Sequence, residues 1–385
     1  MTGPALDPES GRLVVVGGGL ATARVCAAAR RKKFAGTITV VGAESHPPYD
    51  RPPLSKDVLH GKRDSTPLPF DTDKLRVDLV SSTRAVGLDP VQRTIALDSG
   101  TDLPYDGLVI ATGADPIRLP GPGPQLTLHT IDDALGLRES LLAGARVVVI
   151  GASWIGAEVA TAAVAAGCRV TCLELGAEPL SGPLGDEVGR ATRPWWDGID
   201  LRTGVRVASV EEGGVLLDDG EIVPADVVVT GIGVRPDLAW LRDSGLDCGT
   251  GVRTDTRCRT TLPGVVAIGD VAERWSDRTG SHRILGHWDE AGTAATAAIC
   301  SLLGLDGPEH DPVPYFWSDQ LGHSLQYVGA HGPADEVRVA TDDRGALTGA
   351  TWRRDGLLTA WLGVDSPGDL VRARTSVGGP ADAWD

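Results

Sequence analysis

Apolar residues along this chain gather into short β-branched runs, each closed by glycine or another small residue. The first is Arg12-Leu-Val-Val-Val-Gly17-Gly-Gly19, which leads into an alanine-rich stretch at 23–31. An apolar run of this length, bounded by turn residues, predicts a strand buried on both faces, and the stretch behind it predicts a helix. Arg146-Val-Val-Val-Ile150-Gly151 repeats the arrangement and again leads into a helical stretch. Further buried strands are predicted at 37–41, 169–173, 108–111, 227–229 and 264–268. Strands alternating with helices in this order indicate an α/β protein with parallel sheets, containing two dinucleotide-binding (Rossmann-like) folds.

A length of 385 residues fits two or three domains, and 42% hydrophobic residues is enough to build a core in each. The net charge of −16 argues against nucleic acid or an anionic membrane as the main partner. No apolar run approaches the roughly 18 residues that span a bilayer. Residues 1–11 lack the basic and apolar regions of a signal peptide and read as a short lead-in. Cys26, Cys168, Cys172, Cys248, Cys258 and Cys300 are scattered without a CxxC or a histidine pairing. No metal site is therefore expected, and the thiols read as reduced and buried, in a cytoplasmic protein. Arg30-Arg-Lys-Lys33, the densest basic run, reads as a solvated helix end.

The glycines carry the chemistry. Gly17 permits a tight turn, Gly19 lets a pyrophosphate approach the backbone, and the helix behind them presents N–H groups and positive partial charge to that anion. Thr22 stands where the fingerprint has its third glycine. Glu44 follows the second strand about 20 residues on, where an acid binds a ribose hydroxyl. In the second copy, Gly151, Ser153 and Gly156 form the turn, and Glu174 ends the next strand. A carboxylate there accepts from the adenosine ribose and repels a 2′-phosphate, favouring NAD over NADP, with Glu178 expected to add a second negative charge. Two sites imply two dinucleotides, one of them staying bound, for which FAD is the natural candidate. The segments 108–113, 227–233 and 264–270 support this, each an apolar strand ending in small residues, the last with Asp270 at its end.

These segments, with Pro48-Tyr-Asp-Arg-Pro-Pro-Leu-Ser-Lys56 and Pro314-Tyr-Phe-Trp317-Ser-Asp-Gln320, resemble the oxygenase-coupled NADH-dependent ferredoxin reductases, the group of putidaredoxin reductase and biphenyl dioxygenase reductase. The resemblance implies a glutathione-reductase-type α/β fold. FAD would occupy a discontinuous domain at 1–116 and 243–312, NAD(H) a domain at 117–242, and an α+β domain at 313–385 would cover the flavin. It implies Lys56 near flavin N5 paired with Glu158, Asp270 on the ribityl chain, and Trp288 and Trp317 beside the ring. By the same resemblance FAD would also meet Gly17, Gly19, Leu20, Ala21, Thr22, Glu44 and Arg51. On the later segments it would meet Val86, Ala111, Thr112, Gly113, Gly269, His287 and Ala291. NAD would meet Gly151, Ala152, Ser153, Trp154, Ile155, Gly156, Glu158, Glu174, Gly231, Ile232 and Gly233. Lys56, Glu158 and Trp317 would be the residues closest to the chemistry.

The implied reaction passes a hydride from NADH to FAD and single electrons onward to a [2Fe–2S] ferredoxin that feeds an oxygenase. Asp115, Glu178, Gly286, Leu321 and Ser324 depart from the residues common in that family. Rival readings are an NADH oxidase, a reductase of a quinone or other small acceptor, and a redox-sensing flavoprotein resembling apoptosis-inducing factor. A dithiol-disulfide reductase would need a cysteine pair beside the first flavin helix, where this sequence has none.

Overall fold

Runs of valine and isoleucine with no polar face must be covered on both sides, and each becomes a strand of a parallel sheet. A computed structural model describes residues 6–286 and 288–384. The chain divides into two units. One comprises Met1–Asp50, Thr66–Asp115 and Arg235–Pro312; the other comprises Arg51–Ser65, Pro116–Val234 and Val313–Asp385.

In the first unit, Arg12–Val16 is central in a five-stranded parallel sheet ordered Val265–Ala267, Gly107–Ile110, Arg12–Val16, Thr37–Val41, Val77–Val80. Leu13 and Val15 face one core with Val25, Cys26 and Ala298, while Val14 and Val16 face another with Ile95 and Tyr105. This two-residue alternation gives each sheet face its own apolar layer, each buried Val or Leu contributing about 1.5–3 kcal/mol. The helix Leu20–Arg31 packs in the first of these layers. At its end Arg30 donates to the carbonyls of Phe34, Gly36, Leu75 and Arg76, so the basic run is partly a clamp on the helix terminus.

The second unit repeats the plan in a four-stranded parallel sheet ordered Asp200–Arg202, Arg169–Leu173, Arg146–Ile150, Val227–Thr230, with the helix Trp154–Ala165. Its C-terminal part is a five-stranded antiparallel sheet ordered Tyr315–Gln320, His323–Gly329, Leu357–Val364, Leu347–Arg354, Glu336–Thr341. Leu325, Leu347 and Leu362 of that sheet pack with Leu180, Leu184 and Val188. Leu54–Val58 forms a single π-helical turn packed against the helices Ile131–Ser140 and Trp154–Ala165.

The internal repeat extends to one ion pair. Arg12, opening the first sheet's central strand, grips Asp106 with its backbone N–H and with Nε and Nη2 of its guanidinium, at 2.8–2.9 Å. Arg146 grips Asp226 with the same three donors, at 2.6–3.1 Å. The arginine hydrogen bonds hold both aspartates at a pKa of about 2. Depressed carboxylate values stabilise the fold above the unfolded pKa near 3.8 and lose that contribution as pH falls toward 2. Both pairs are largely exposed, so each contributes little. An Asp106→Asn/Asp226→Asn double variant should therefore unfold with a shallower pH dependence between about 4 and 2. Chemical denaturation across that range reads it, and an unchanged slope would contradict the assignment.

No helix among the described residues is long and apolar enough to cross a membrane.

Candidate functional site

The first glycine turn. Gly17 has φ +131°, and a Cβ there would stand 2.0 Å from the Ala111 carbonyl oxygen, so backbone and neighbour both require glycine. Gly19 precedes the helix Leu20–Arg31 and has nothing within 4 Å of where a Cβ would be. That open space, at the positive end of a helix, suits a pyrophosphate. Leu20 and Ala21 are buried behind it. Thr22 is fully buried, and its Oγ1 donates to the Gly17 carbonyl at 2.8 Å, tying the turn shut from below. Gly269 has φ +72°, and a Cβ there would lie 3.6 Å from Ala21 Cβ and 3.9 Å from Ala291 Cβ, so these three meet. Asp270 is half-buried in the following turn.

Ala111 is buried, Thr112 is exposed and Gly113 turns the chain at φ +72°. Val86 leaves an apolar side chain 52% exposed on the strand Ala85–Asp89. Glu44 is half-buried and accepts from Tyr49 Oη at 2.6 Å. Trp288 Nε1 donates to Asp50 at 2.6 Å, fixing the indole to the Pro48–Lys56 string. His287 lies outside the described residues. A glycine turn, an open helix terminus, an acid and a small-residue floor fit an adenine dinucleotide bearing a flavin.

The second turn lines a cavity of about 580 Å³. Gly151, Ser153, Trp154, Ile155, Glu174, Gly231, Ile232 and Gly233 border it, whereas Ala152, Gly156 and Glu158, also expected to meet NAD, are buried and do not line it. Gly151 has φ +100°, and a Cβ would stand 2.5 Å from the Gly231 oxygen; at Gly156 it would stand 1.8 Å from the Gly151 oxygen. The third glycine is thus indispensable here, whereas the first turn accommodates Thr22. Ser153 is the residue before the helix, and its side chain does not cap it. Glu174 is held by two backbone donors, Ala152 N at 2.6 Å and Gly176 N at 2.7 Å. The carboxylate is thereby oriented while still half-exposed at the cavity wall, where its remaining lone pairs can meet ribose hydroxyls. Ile155, Ile232 and Val234 stand 36–49% exposed around the same space, apolar surface suited to an aromatic ring system. The residues fit a nicotinamide dinucleotide.

Two features escaped the sequence pattern. Arg206, Val205, Ile117 and His129 also line the cavity, brought there by tertiary structure alone. Glu178 does not line it. The expected second charge beside the ribose is a buried structural group instead, 7% exposed, paired with Arg193 and with Arg190 at 3.4 Å. Its negative charge is spent on those cations, which hydropathy around position 178 could not reveal.

Lys56 and Glu158 form the pair that the resemblance implied. Lys56 Nζ lies 2.9 and 3.0 Å from the two Glu158 oxygens. Glu158 is 3% exposed and also accepts from Ser55 Oγ, from Ser318 Oγ at 2.6 Å and from Asp319 N at 3.2 Å. One buried carboxylate therefore joins the π-helical turn, the helix Trp154–Ala165 and the strand Tyr315–Gln320. Saturation by donors is what makes its burial tolerable. Lys56 keeps 22% of its side chain exposed. Next to Ser318, Trp317 stacks with Tyr315 at 5.9 Å. Arg51 donates to the His129 carbonyl, fastening the start of the same turn. Trp154 packs on Phe316 at 4.7 Å.

All six cysteines are free; four are buried, but against expectation Cys248 is exposed and Cys168 half-buried. Burial pushes Cys26 up to about 12 and raises Cys172 and Cys258 further, leaving those three inert. Residues 11–295 match the family described as pyridine nucleotide-disulphide oxidoreductase, and 315–381 match reductase C-terminal. The chain is 35% identical to the ferredoxin–NAD(+) reductase component of the p-cumate 2,3-dioxygenase system of Pseudomonas putida, over 96% of this chain and 94% of the relative. A solved structure of Fdr9 is 49% identical with a TM-score of 0.92, covering 96% of this chain and 95% of that one. Putidaredoxin reductase, solved in covalent complex with putidaredoxin, is 28% identical with a TM-score of 0.89 over 95% and 93% of the two chains. Two glycine turns of dinucleotide type, a donor-saturated Lys–Glu pair and similarity along nearly the whole length agree: the chain belongs to the FAD- and NAD(H)-using pyridine nucleotide-disulphide oxidoreductases, in the family of oxygenase-coupled ferredoxin–NAD(+) reductases.

Proposed function

We propose that this chain carries electrons from NADH through FAD to a small [2Fe–2S] ferredoxin serving an oxygenase, in the cytoplasm. The observation that carries the reading is the full-length likeness to ferredoxin reductase components, the C-terminal domain included. FAD, when bound, supplies the junction between two-electron hydride chemistry and one-electron transfer.

The chain's own residues have positioning and electrostatic work. Gly19 leaves room for the pyrophosphate, and Glu44 and Asp270 are the carboxylates offered to the hydroxyls of the bound cofactor. Glu174 selects the adenosine ribose of NADH. Lys56 would offer a bound flavin a positive charge, and Glu158 holds the Lys56 side chain in place through contacts of 2.9 and 3.0 Å. No proton donor or acceptor is asked of the protein. The domains at 1–116 with 243–312, at 117–242 and at 313–385 would bind FAD, bind NADH and cover the flavin respectively.

Turnover tests the reading. NADH oxidation by the FAD-loaded protein should be slow with oxygen alone and rise with added [2Fe–2S] ferredoxin from the same genome, reaching one-electron stoichiometry of two ferredoxins per NADH. A rate equally high without ferredoxin would instead make oxygen or a small molecule the acceptor.

A further inference from the structure

Arg206 lines the nucleotide cavity although it lies outside the glycine fingerprint. Two backbone hydrogen bonds fix its place: Val205 N donates to the Glu174 carbonyl at 2.9 Å, and Gly204 N donates to the Gly176 carbonyl at 2.7 Å. The segment bearing Arg206 thus runs beside the loop bearing Glu174, and both residues border the same cavity. Arg206 and Glu174 are the charged side chains lining it among the described residues. The Arg206 side chain is 64% exposed, and its guanidinium pairs with Asp218, whose side chain is 51% exposed, at 3.4 Å. A pair so open to water is weakly held and readily exchanged for a stronger anion.

We propose that Arg206 is a second determinant of cofactor choice, a latent 2′-phosphate site that Glu174 and Asp218 keep unused. A guanidinium matches phosphate geometry, and a cation beside the ribose-binding acid is where the 2′-phosphate of NADPH would arrive. Glu174 cannot rotate away, because Ala152 N and Gly176 N hold both its oxygens. Its charge therefore repels a phosphate that Arg206 would otherwise attract. Asp218 adds to the restraint by occupying the guanidinium. The preference for NADH is in this way an active exclusion by carboxylates rather than the lack of a cation.

The inference rests on the cavity being the NADH site. Its test is calorimetric titration of the FAD-loaded protein with 5′-AMP and with 2′,5′-ADP, which differ by the 2′-phosphate. Glu174→Ala should weaken 5′-AMP and strengthen 2′,5′-ADP by roughly two- to fivefold, the range of an exposed charge-assisted contact. Adding Arg206→Ala should abolish that gain, and Asp218→Asn alone should strengthen 2′,5′-ADP by about twofold. The ratio of NADPH to NADH kcat/KM, with ferricyanide as acceptor, should follow the same order. An equal gain from Glu174→Ala with and without Arg206 would overturn the proposal. If neither ligand bound the wild type or was displaced by NADH, the nucleotide assignment itself would fall, a result distinct from failure at Arg206. Raised salt should erase the 2′,5′-ADP gain before it affects 5′-AMP, because only the former depends on an exposed charge pair.

Discussion

Glu158→Ala is expected to destabilise the second unit by about 3 kcal/mol, because it removes the acceptor from a buried charged network. The carboxylate is 3% exposed and serves Lys56, Ser55, Ser318 and Asp319 N. Truncation leaves two serine hydroxyls and a backbone N–H without their acceptor, together with a lysine deprived of its counter-charge. Glu158→Gln keeps the shape but turns an amide NH₂ toward groups that are themselves donors, so it should recover only part of the loss. Lys56→Met should cost much less, since the carboxylate keeps its hydroxyl and amide donors and the lysine is already 22% exposed. Its signature should be kinetic: FAD retained, a lowered flavin potential and slower reduction by NADH. Denaturant midpoints and rapid mixing with NADH separate the two roles. Equal stability loss in the two variants, with reduction at the wild-type rate in Lys56→Met, would reduce the pair to a structural bridge.

Gly17→Val and Gly19→Val should both yield protein without FAD, for different reasons. At Gly17 the backbone has φ +131° and a Cβ would lie 2.0 Å from the Ala111 oxygen, so the turn cannot form and the first unit misfolds. Loss of several kcal/mol and recovery only as insoluble protein are expected there. At Gly19 the space is open, with no heavy atom within 4 Å, so the fold tolerates a side chain and only the pyrophosphate is excluded. Gly19→Val should be soluble, with native circular dichroism, and colourless. Gly151→Val, with its Cβ 2.5 Å from the Gly231 oxygen, should damage the second unit and NADH binding. A yellow, NADH-reducible Gly19→Val protein would place the pyrophosphate elsewhere.

The parallel sheets were legible because a strand covered on both faces has no polar side to disguise it. Arg12–Val16 and Arg146–Ile150 each carry that pattern and a glycine turn behind it. Glu174 was legible from its distance to the turn, since strand–helix–strand geometry fixes that spacing. Other features depend on contacts no local period records. Glu178 looks like a surface acid in sequence and is buried because Arg193, in a later helical turn, folds back onto it. Arg206 reaches the cavity through backbone pairing with the 174–176 loop. Ser55 and Ser318 are unremarkable residues that matter because both aim at Glu158. Thr22 in place of glycine is explained only by its hydrogen bond to the Gly17 carbonyl.

The most direct test of electron flow from NADH through FAD to a ferredoxin is one anaerobic mixing sequence on the purified yellow protein. One equivalent of NADH should bleach the flavin, NADPH should do so far more slowly, and oxidised [2Fe–2S] ferredoxin should then restore the colour as its own iron–sulfur absorbance falls. Bleaching by NADH followed by no reaction with ferredoxin, but prompt recolouring on admission of oxygen or a quinone, would contradict the account.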